Sequence, residues 1–468
     1  MLSACTKEPD PVIEEAAPVL VSTVPENGAT DIQGTGIDVK FTYDQNIKCP
    51  LEAQSGISAD GGCSITGISA YNETLTVTLS GLEGGKTYTV SVPAGAVQGY
   101  KQNQKATQSA KVSFTTYLKP TYTLNPDASP VNPKASARTR KVYEFLLEQS
   151  GKKILSGVQS DGTGNNNDHS NAIASKTGKH PALVGYDFLF IQYSPTPDSW
   201  SWKVDYSDMS APAEQWEKNG LVNYMWHWNV PKTQEDWQKA KEYRTNGYGF
   251  EGYAFYTEST NFDIREALKE GTWQHEFILS DIEKVAGYLK ILADKDIPVI
   301  WRPLHEAAGN SYTQSGGGAW FWWGKYGAEP CKQLWKLLYD QLVGKYGLNN
   351  LLWVWTIDVV SGKEDSALEW YPGDEYVDIV GCDIYENNTS VKSEKYQFLV
   401  DVTKGKKIVT VSECGNIPSP DESIKAGDKW SWFLVWPGSD YTLNTDAYWK
   451  QIMSSDNVYT RESMPSLK

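Results

Sequence analysis

From Thr139 onward the chain repeats one pattern, a short apolar run and then a longer polar or helix-period stretch. The runs are KILSGVQ, PALVGYDF, LVNYMWHW, IPVIWRPLHE, LLWVWTID, VDIVGCDIY, KIVTVSEC and WFLVWP. Runs of this length and β-branched content read as strands buried on both faces. Between several of them lie helix-period segments, clearest in SDIEKVAGYLKILADKD and EPCKQLWKLLYDQLVGKYG. Ser280 or Asp281 is the expected N-cap of the first, and Gly347 is expected to stop the second. Eight apolar strands in series, made parallel by helical crossovers, are what a (β/α)8 TIM barrel requires. A doubly wound open sheet would carry a Gly-rich phosphate loop after a strand, and none follows any of these. A barrel over residues 139–468 is therefore expected.

The 468 residues leave room for a second module upstream. Between residues 17 and 117, IDVKFTYD, ETLTVTLS, KTYTVSVP and AKVSFTTY alternate with period two between Gly, Asn and Asp turns. About a hundred residues of that texture predict a small all-β sandwich. PENGATDI and LEGGKTYTVSVPAGAV within it resemble bacterial Ig-like modules. Residues 118–138, rich in proline, read as a linker. Residues 1–16 contain Leu2-Ser3-Ala4-Cys5 ahead of an acidic, Pro-rich tether. That tetrapeptide resembles the lipobox of bacterial lipoproteins, which implies acylation of Cys5. The expected location is then the outer membrane of a Gram-negative bacterium, on the cell surface or in the periplasm.

Composition narrows the function. A net charge of −15 repels phosphate backbones, so no nucleic-acid partner is expected. With 19 Trp and 27 Tyr, the chain carries many rings on which sugar faces can stack. Its 6 cysteines show no metal-ligand spacing. Cys49 and Cys63 fall in one module and could pair in an oxidising compartment, while Cys331, Cys382 and Cys414 read as buried thiols. Neither a metal nor a cofactor is expected, and the chain is expected to be a monomer.

Barrel chemistry sits at the C-terminal ends of strands. Strand three ends in Trp226-His227-Trp228-Asn229, strand four in His305-Glu306, strand six in Asp383-Ile384-Tyr385-Glu386, and strand seven in Ser412-Glu413-Cys414-Gly415. Strand eight ends near Trp436. A buried carboxylate must be paired or used. Two of them, on strands four and seven, suggest glycoside hydrolysis. One carboxyl would protonate the leaving oxygen and the other attack the anomeric carbon, roughly 5–5.5 Å apart in a retaining enzyme. Arg302, two residues before Glu306, offers a cation beneath the site that would keep one carboxylate ionised. His305, neutral beside Glu306, is expected to hydrogen-bond the second carboxylate or a sugar hydroxyl.

WRPLHE, WFWWG, WHWN, YVDIVGCDIY and SECG, in their order along the chain, resemble the β-mannanases of glycoside hydrolase family twenty-six. The resemblance implies Glu306 as acid/base and Glu413 as nucleophile. It also implies a subsite for the reacting sugar lined by His227, Trp320 and Tyr385, with Asp383 in the same motif. His305 and Trp436, at the ends of strands four and eight, are further candidates for sugar binding. His305 stands where most of the wider clan has Asn. The implied partners are β-mannan polysaccharides and mannooligosaccharides. Two other readings stay open: a hydrolase of β-glucan or xylan on the same fold, and a non-catalytic surface glycan-binding lipoprotein. One departure is AAGNSYTQSGGG between Glu306 and Ala319-Trp320, a Gly-rich loop expected over the cleft. A second is Cys414 beside Glu413. The segment from Val230 to Glu276 is too long for a turn and is expected to form a cleft wall.

Overall fold

The computed structural model describes residues 16–101, 103–118, 121–196, 203–239, 252–313, 316–438 and 440–468. Cys5 and the tether up to residue 15 lie outside them, as do residues 240–251 of the long segment after strand three. The chain divides into two units, Met1–Thr121 and Tyr122–Lys468.

In the first unit, two four-stranded sheets face each other. One runs Leu20–Val24, Gly36–Tyr43, Thr74–Ser80, Ser64–Tyr71, and every pair in it is antiparallel. The other runs Ala29–Ile32, Ala110–Thr116, Thr87–Val92, Ser58–Asp60, with the first pair parallel. Period-two alternation turns Val39, Phe41, Leu75, Val77, Val90, Val112 and Phe114 inward and most of the threonines and serines outward. Cys49 and Cys63 are both free thiols, and Cys63 donates to the Asp60 carbonyl instead.

The second unit is the barrel. Its seven regular strands are Gly157–Gln159, Leu183–Asp187, Leu221–Met225, Val299–Arg302, Leu351–Thr356, Ile379–Ile384 and Ile408–Cys414, all parallel and in chain order. They are called strands one to seven below. Nearly every residue in them is buried, as expected of a parallel sheet covered on both faces. The eighth run, residues 430–435, makes only isolated bridges, but it closes the circle. Val435 N–H donates to the Gly157 carbonyl on one side, while Cys414 N–H donates to the Leu434 carbonyl on the other.

Of two local expectations about helix ends, one is corrected and one holds. The long helix is Trp273–Ala293, capped by Thr272, whose hydroxyl accepts from His275 N–H at 3.1 Å. Neither Ser280 nor Asp281 caps it. Asp281 is buried and accepts from the Trp228 indole N–H at 3.0 Å, so its carboxylate serves the end of strand three. The other helix, Ala328–Tyr339, continues through a π-turn over Asp340–Lys345, and Gly347 follows with φ of +66°.

From Tyr122 the Pro-rich stretch 118–138 belongs to the second unit, and Asp378 ties it there. One oxygen of that buried carboxyl accepts from Val131 N–H and the other from Trp353 N–H, both at 2.7 Å. Burial pushes Asp378 up to about 6 against those two donors. A carboxyl raised on folding stabilises most below its unfolded pKa and loses that contribution as pH rises through the folded value. Asp378→Ala orphans two buried N–H groups and should destabilise the barrel by roughly 2–4 kcal/mol near pH 4. The deficit should be smaller near pH 7, and urea denaturation at the two pH values measures both.

Candidate active site

The site begins with an unusual backbone. As strand four ends, Leu304 and Glu306 both take positive φ, +48° and +50°. Left-handed backbone costs a non-glycine residue ~1–2 kcal/mol. The surrounding tryptophans offset that cost by pinning the turn. The indole N–H of Trp323 donates to the His305 carbonyl at 2.9 Å, that of Trp320 to Glu306 Oε2 at 2.9 Å, and that of Trp322 to the Trp228 carbonyl at 2.7 Å. Gly324 is required in this run, because a Cβ there would lie 1.7 Å from the Ala307 carbonyl oxygen. The WFWWG motif is thus the brace of the His-Glu turn.

Beneath the turn Arg302 lies fully buried and binds two carboxylates at once. Its Nη1 is 2.5 Å from Glu413 Oε1 and its Nη2 is 2.5 Å from Asp383 Oδ2. The third edge, Nε, donates to Thr356 Oγ1 at 2.8 Å, and Thr356 donates on to Ser412 at 3.1 Å. Burial works against the guanidinium charge, but Asp383 and Glu413 outweigh it and raise its pKa. The second oxygen of Glu413 accepts from the Tyr385 hydroxyl at 2.5 Å. Burial and the charge of Glu413 drive that hydroxyl far up, so Tyr385 remains a neutral donor.

Glu306 is in a different state. Burial, then the charge of Glu413, pushes its carboxyl up, against the Trp320 donor and the field of Arg302. Three carboxyls here face one guanidinium. Arg302 touches Glu413 and Asp383 but not Glu306. Burial, then Glu413 and Glu306, raise Asp383 well above the ordinary range against Arg302, and Asp383 and Glu306 share a hydrogen bond, so the surplus proton belongs to this pair. Two carboxyls with separated environments are what acid/base chemistry needs.

The two histidines form a chain. His227 Nδ1 meets Asp187 Oδ2 at 2.6 Å, and its Nε2 meets His305 Nε2 at 3.2 Å. Burial pulls His227 down, but the Asp187 carboxylate outweighs it and the net shift is upward. His305 falls well below the ordinary range through burial, Arg302 and His227 together, so it is neutral. Its Nε2 is engaged by His227.

These groups surround a cleft of about 350 Å³ lined by His227, Tyr256, His305, Glu306, Trp320, Phe321, Tyr385, Glu413 and Trp436. That volume falls within the about 300–1,000 Å³ common for small-molecule sites. The fold therefore brings seven of the eight residues named from sequence to one cleft wall, and the eighth, Asp383, lies below it on Arg302. Sequence reasoning missed Asp187, which ends strand two and was findable by the same strand-end rule. It also missed Tyr256 and Phe321, which stack at 5.7 Å with a 21° interplanar angle. Tyr256 comes from the described part of the Val230–Glu276 segment, which does form cleft wall. Gln314 and Ser315 of the Gly-rich insert lie outside the described residues. No described residue between Ala307 and Ala319 lines the cleft, and Tyr312 reaches sideways to donate to the Asp358 carbonyl. Glu386 is half-buried and held by Lys392 at 2.7 Å and Lys395 at 3.2 Å. Among the described residues no group of three or more His, Cys, Asp or Glu is arranged to hold a metal ion.

Comparison with known proteins agrees with this geometry. The profile of glycosyl hydrolase family 26 matches residues 131–463, and that of a bacterial Ig-like domain matches residues 14–116. A mannan endo-1,4-beta-mannosidase of Thermothelomyces thermophilus is 33% identical over 96% of this chain and 88% of its own. Mannan endo-1,4-beta-mannosidase B of Piromyces is 35% identical over 73% of this chain, which spans 54% of that protein. Among solved structures, the family-26 domain of an endo-beta-mannanase/endo-beta-glucanase of Prevotella bryantii is 33% identical. It superposes with a TM-score of 0.63 over 72% of this chain and 99% of its own. A beta-mannanase from a symbiotic protist of the termite Reticulitermes speratus, complexed with gluco-manno-oligosaccharide, is 32% identical. Its TM-score is 0.60 over 74% of this chain and 100% of its own.

Proposed function

The chain belongs to glycosyl hydrolase family 26, and from that premise we propose that it is a retaining β-1,4-mannanase of the endo type, acting on mannan, glucomannan or galactomannan. The observation that carries the reading is the asymmetry of its two carboxyls. Burial and the charge of Glu413 raise the Glu306 carboxyl in a Trp-rich mouth, while Glu413 accepts from Arg302 and Tyr385 on both oxygens. In the first step Glu306 gives its proton to the glycosidic oxygen as a Glu413 oxygen attacks the anomeric carbon. The carbon–oxygen bond to the aglycone breaks and a mannosyl ester forms. Esterification removes the charge of Glu413, and with it one cause that holds Glu306 protonated. Glu306 then takes a proton from water, whose oxygen attacks the same carbon and releases Glu413. Arg302 and Tyr385 hold the nucleophile, Asp383 holds Arg302, and neutral His305, together with Asp187, holds His227 at the cleft wall. Trp320, Trp436 and Tyr385 supply sugar-facing walls.

Early-time NMR of mannooligosaccharide cleavage should show the β-anomer formed first. Inverted product, or cleavage of xylan or β-glucan with none of mannan, would overturn the assignment. Glu306→Ala should cripple polymer hydrolysis while largely sparing the first step on activated aryl mannosides, whose leaving groups need no proton. Glu413→Ala should abolish both. A reducing-sugar signal equal in wild type and Glu413→Ala would instead indicate a glycan binder.

Trp320 makes a pH prediction. Its indole N–H favours the ionised form of Glu306, so Trp320→Phe should raise the Glu306 pKa further. Activity needs Glu306 protonated and falls as pH rises through that pKa. The basic limb of the kcat/KM profile should therefore move to higher pH, with the acid limb in place.

For the whole chain we propose a monomer anchored to the outer membrane of a Gram-negative cell through acylated Cys5, with the Ig-like unit as spacer. The Leu2-Ser3-Ala4-Cys5 motif and the acidic, Pro-rich tether support this. Labelled palmitate should enter the wild type and not Cys5→Ser, and the solubilised protein should sediment as one chain. Equal labelling of both, or a sedimenting dimer, would count against it.

A further inference from the structure

The mechanism leaves one aromatic ring beside the nucleophile unused. Tyr441 lies on the loop that follows the closing run, partly exposed, with its ring centroid 5.9 Å from that of Tyr385. Tyr385 in turn donates to Glu413, and Gly415, against which the Tyr441 ring packs, lies two residues past Glu413. Two glycines make room for this ring. A Cβ on Gly415 would come within 2.5 Å of Tyr441 Cδ1 and Cε1, and one on Gly438 within 2.9 Å of Cε2. Both edges of the ring are thus set against bare backbone, where any other residue would clash.

The loop is clamped from both ends. Asn444 Nδ2 donates to the Gly415 carbonyl at 2.7 Å, and Asn444 Oδ1 accepts from Ile417 N–H at 3.0 Å. In return Asn416 Oδ1 accepts from Leu443 N–H at 3.2 Å. Asn444 N–H also closes onto the Tyr441 carbonyl at 3.1 Å. These bonds tie the loop to the residues directly after Glu413, so the ring keeps its place relative to the nucleophile.

Chemistry gives the ring a side of the cleft. Glu306 protonates the oxygen that leaves with the aglycone, so the aglycone runs past Glu306, where Trp320 stands at 2.9 Å. The reacting sugar sits over Glu413, and the rest of the glycone continues away from Glu306. Tyr441, packed on Gly415 and beside Tyr385, belongs to the Glu413 side of the site, while Trp320 belongs to the Glu306 side. We propose that Tyr441 is a specificity-determining residue, an aromatic platform for the sugar one unit to the non-reducing side of the reacting one. The proposal rests on the hydrolase reading above.

The test compares an aryl β-mannoside, which fills only the reacting-sugar position, with the aryl β-mannobioside, which adds the next sugar. In Tyr441→Ala the ratio of kcat/KM, mannobioside over mannoside, should fall about tenfold, mainly through KM. Tyr441→Phe should restore it and Tyr441→Leu, which keeps bulk without a flat face, should not. A thermal melt like that of the wild type accompanies each variant. An unchanged ratio in Tyr441→Ala, with both substrates losing alike or neither losing, would overturn the proposal. A wild type that cleaves neither aryl glycoside would instead fail the hydrolase reading.

Discussion

A buried guanidinium holds the interior of this barrel together. Arg302 rises from strand four into a space walled by Glu413, Asp383 and Thr356, from strands seven, six and five. Unpaired, each carboxylate would be expensive in so dry a place, and removing the cation from such a cluster typically costs more than the pair ever contributes. The arrangement is therefore less a source of stability than a condition on everything above it. Because the guanidinium is planar, its three edges fix three strands in relation to one another. Glu413 and Asp383 receive a direct share of its charge and Glu306 only its field, and from that inequality the division of labour between the two glutamates follows.

Above the cation, tryptophans do the positioning. Indole N–H groups from one short run reach the end of strand three, the His305 carbonyl and Glu306 itself. Trp228 extends the frame downward by donating to Asp281 in the long helix. An indole combines a large apolar face with a single donor, so it can fill a core and also hold one polar atom in place. A high tryptophan count here is thus divided between two uses. Trp320 and Trp436 line the cleft, and Trp320, Trp322 and Trp323 hold the turn that presents Glu306.

The strands and their order were legible because burial on both faces leaves long apolar runs, and helices between them leave little choice but a parallel barrel. The cleft residues were legible for a related reason, since polar groups at the end of an apolar strand need a purpose. What escaped was whatever depended on partners distant in sequence. Asp281 looks like a helix cap because caps are acidic, yet its partner is an indole more than fifty residues upstream. His305 was expected to reach the nucleophile or a sugar hydroxyl, but its ring nitrogen is engaged by His227, in turn held by Asp187. Tyr256 and Tyr441 come from loops, where no periodicity marks which ring turns inward. Tyr312 of the Gly-rich insert donates to the Asp358 carbonyl just past the end of strand five, a tie that no sequence pattern marks.

The closure of the barrel bears on how the chain is made. The first strand gains its outer partner only from residues 430–435, and the neighbouring Ile154–Leu155 pairs with Val458–Tyr459. On a ribosome, then, strand one must wait through the synthesis of nearly the whole barrel before its free edge is covered. An open parallel sheet with an exposed apolar edge is prone to pair with another chain. The Ig-like unit faces no such delay, since all of its strands precede Thr121. It emerges first and can fold while the barrel is still incomplete, so a growing chain carries a finished, soluble domain through the interval in which its larger partner is most exposed to aggregation.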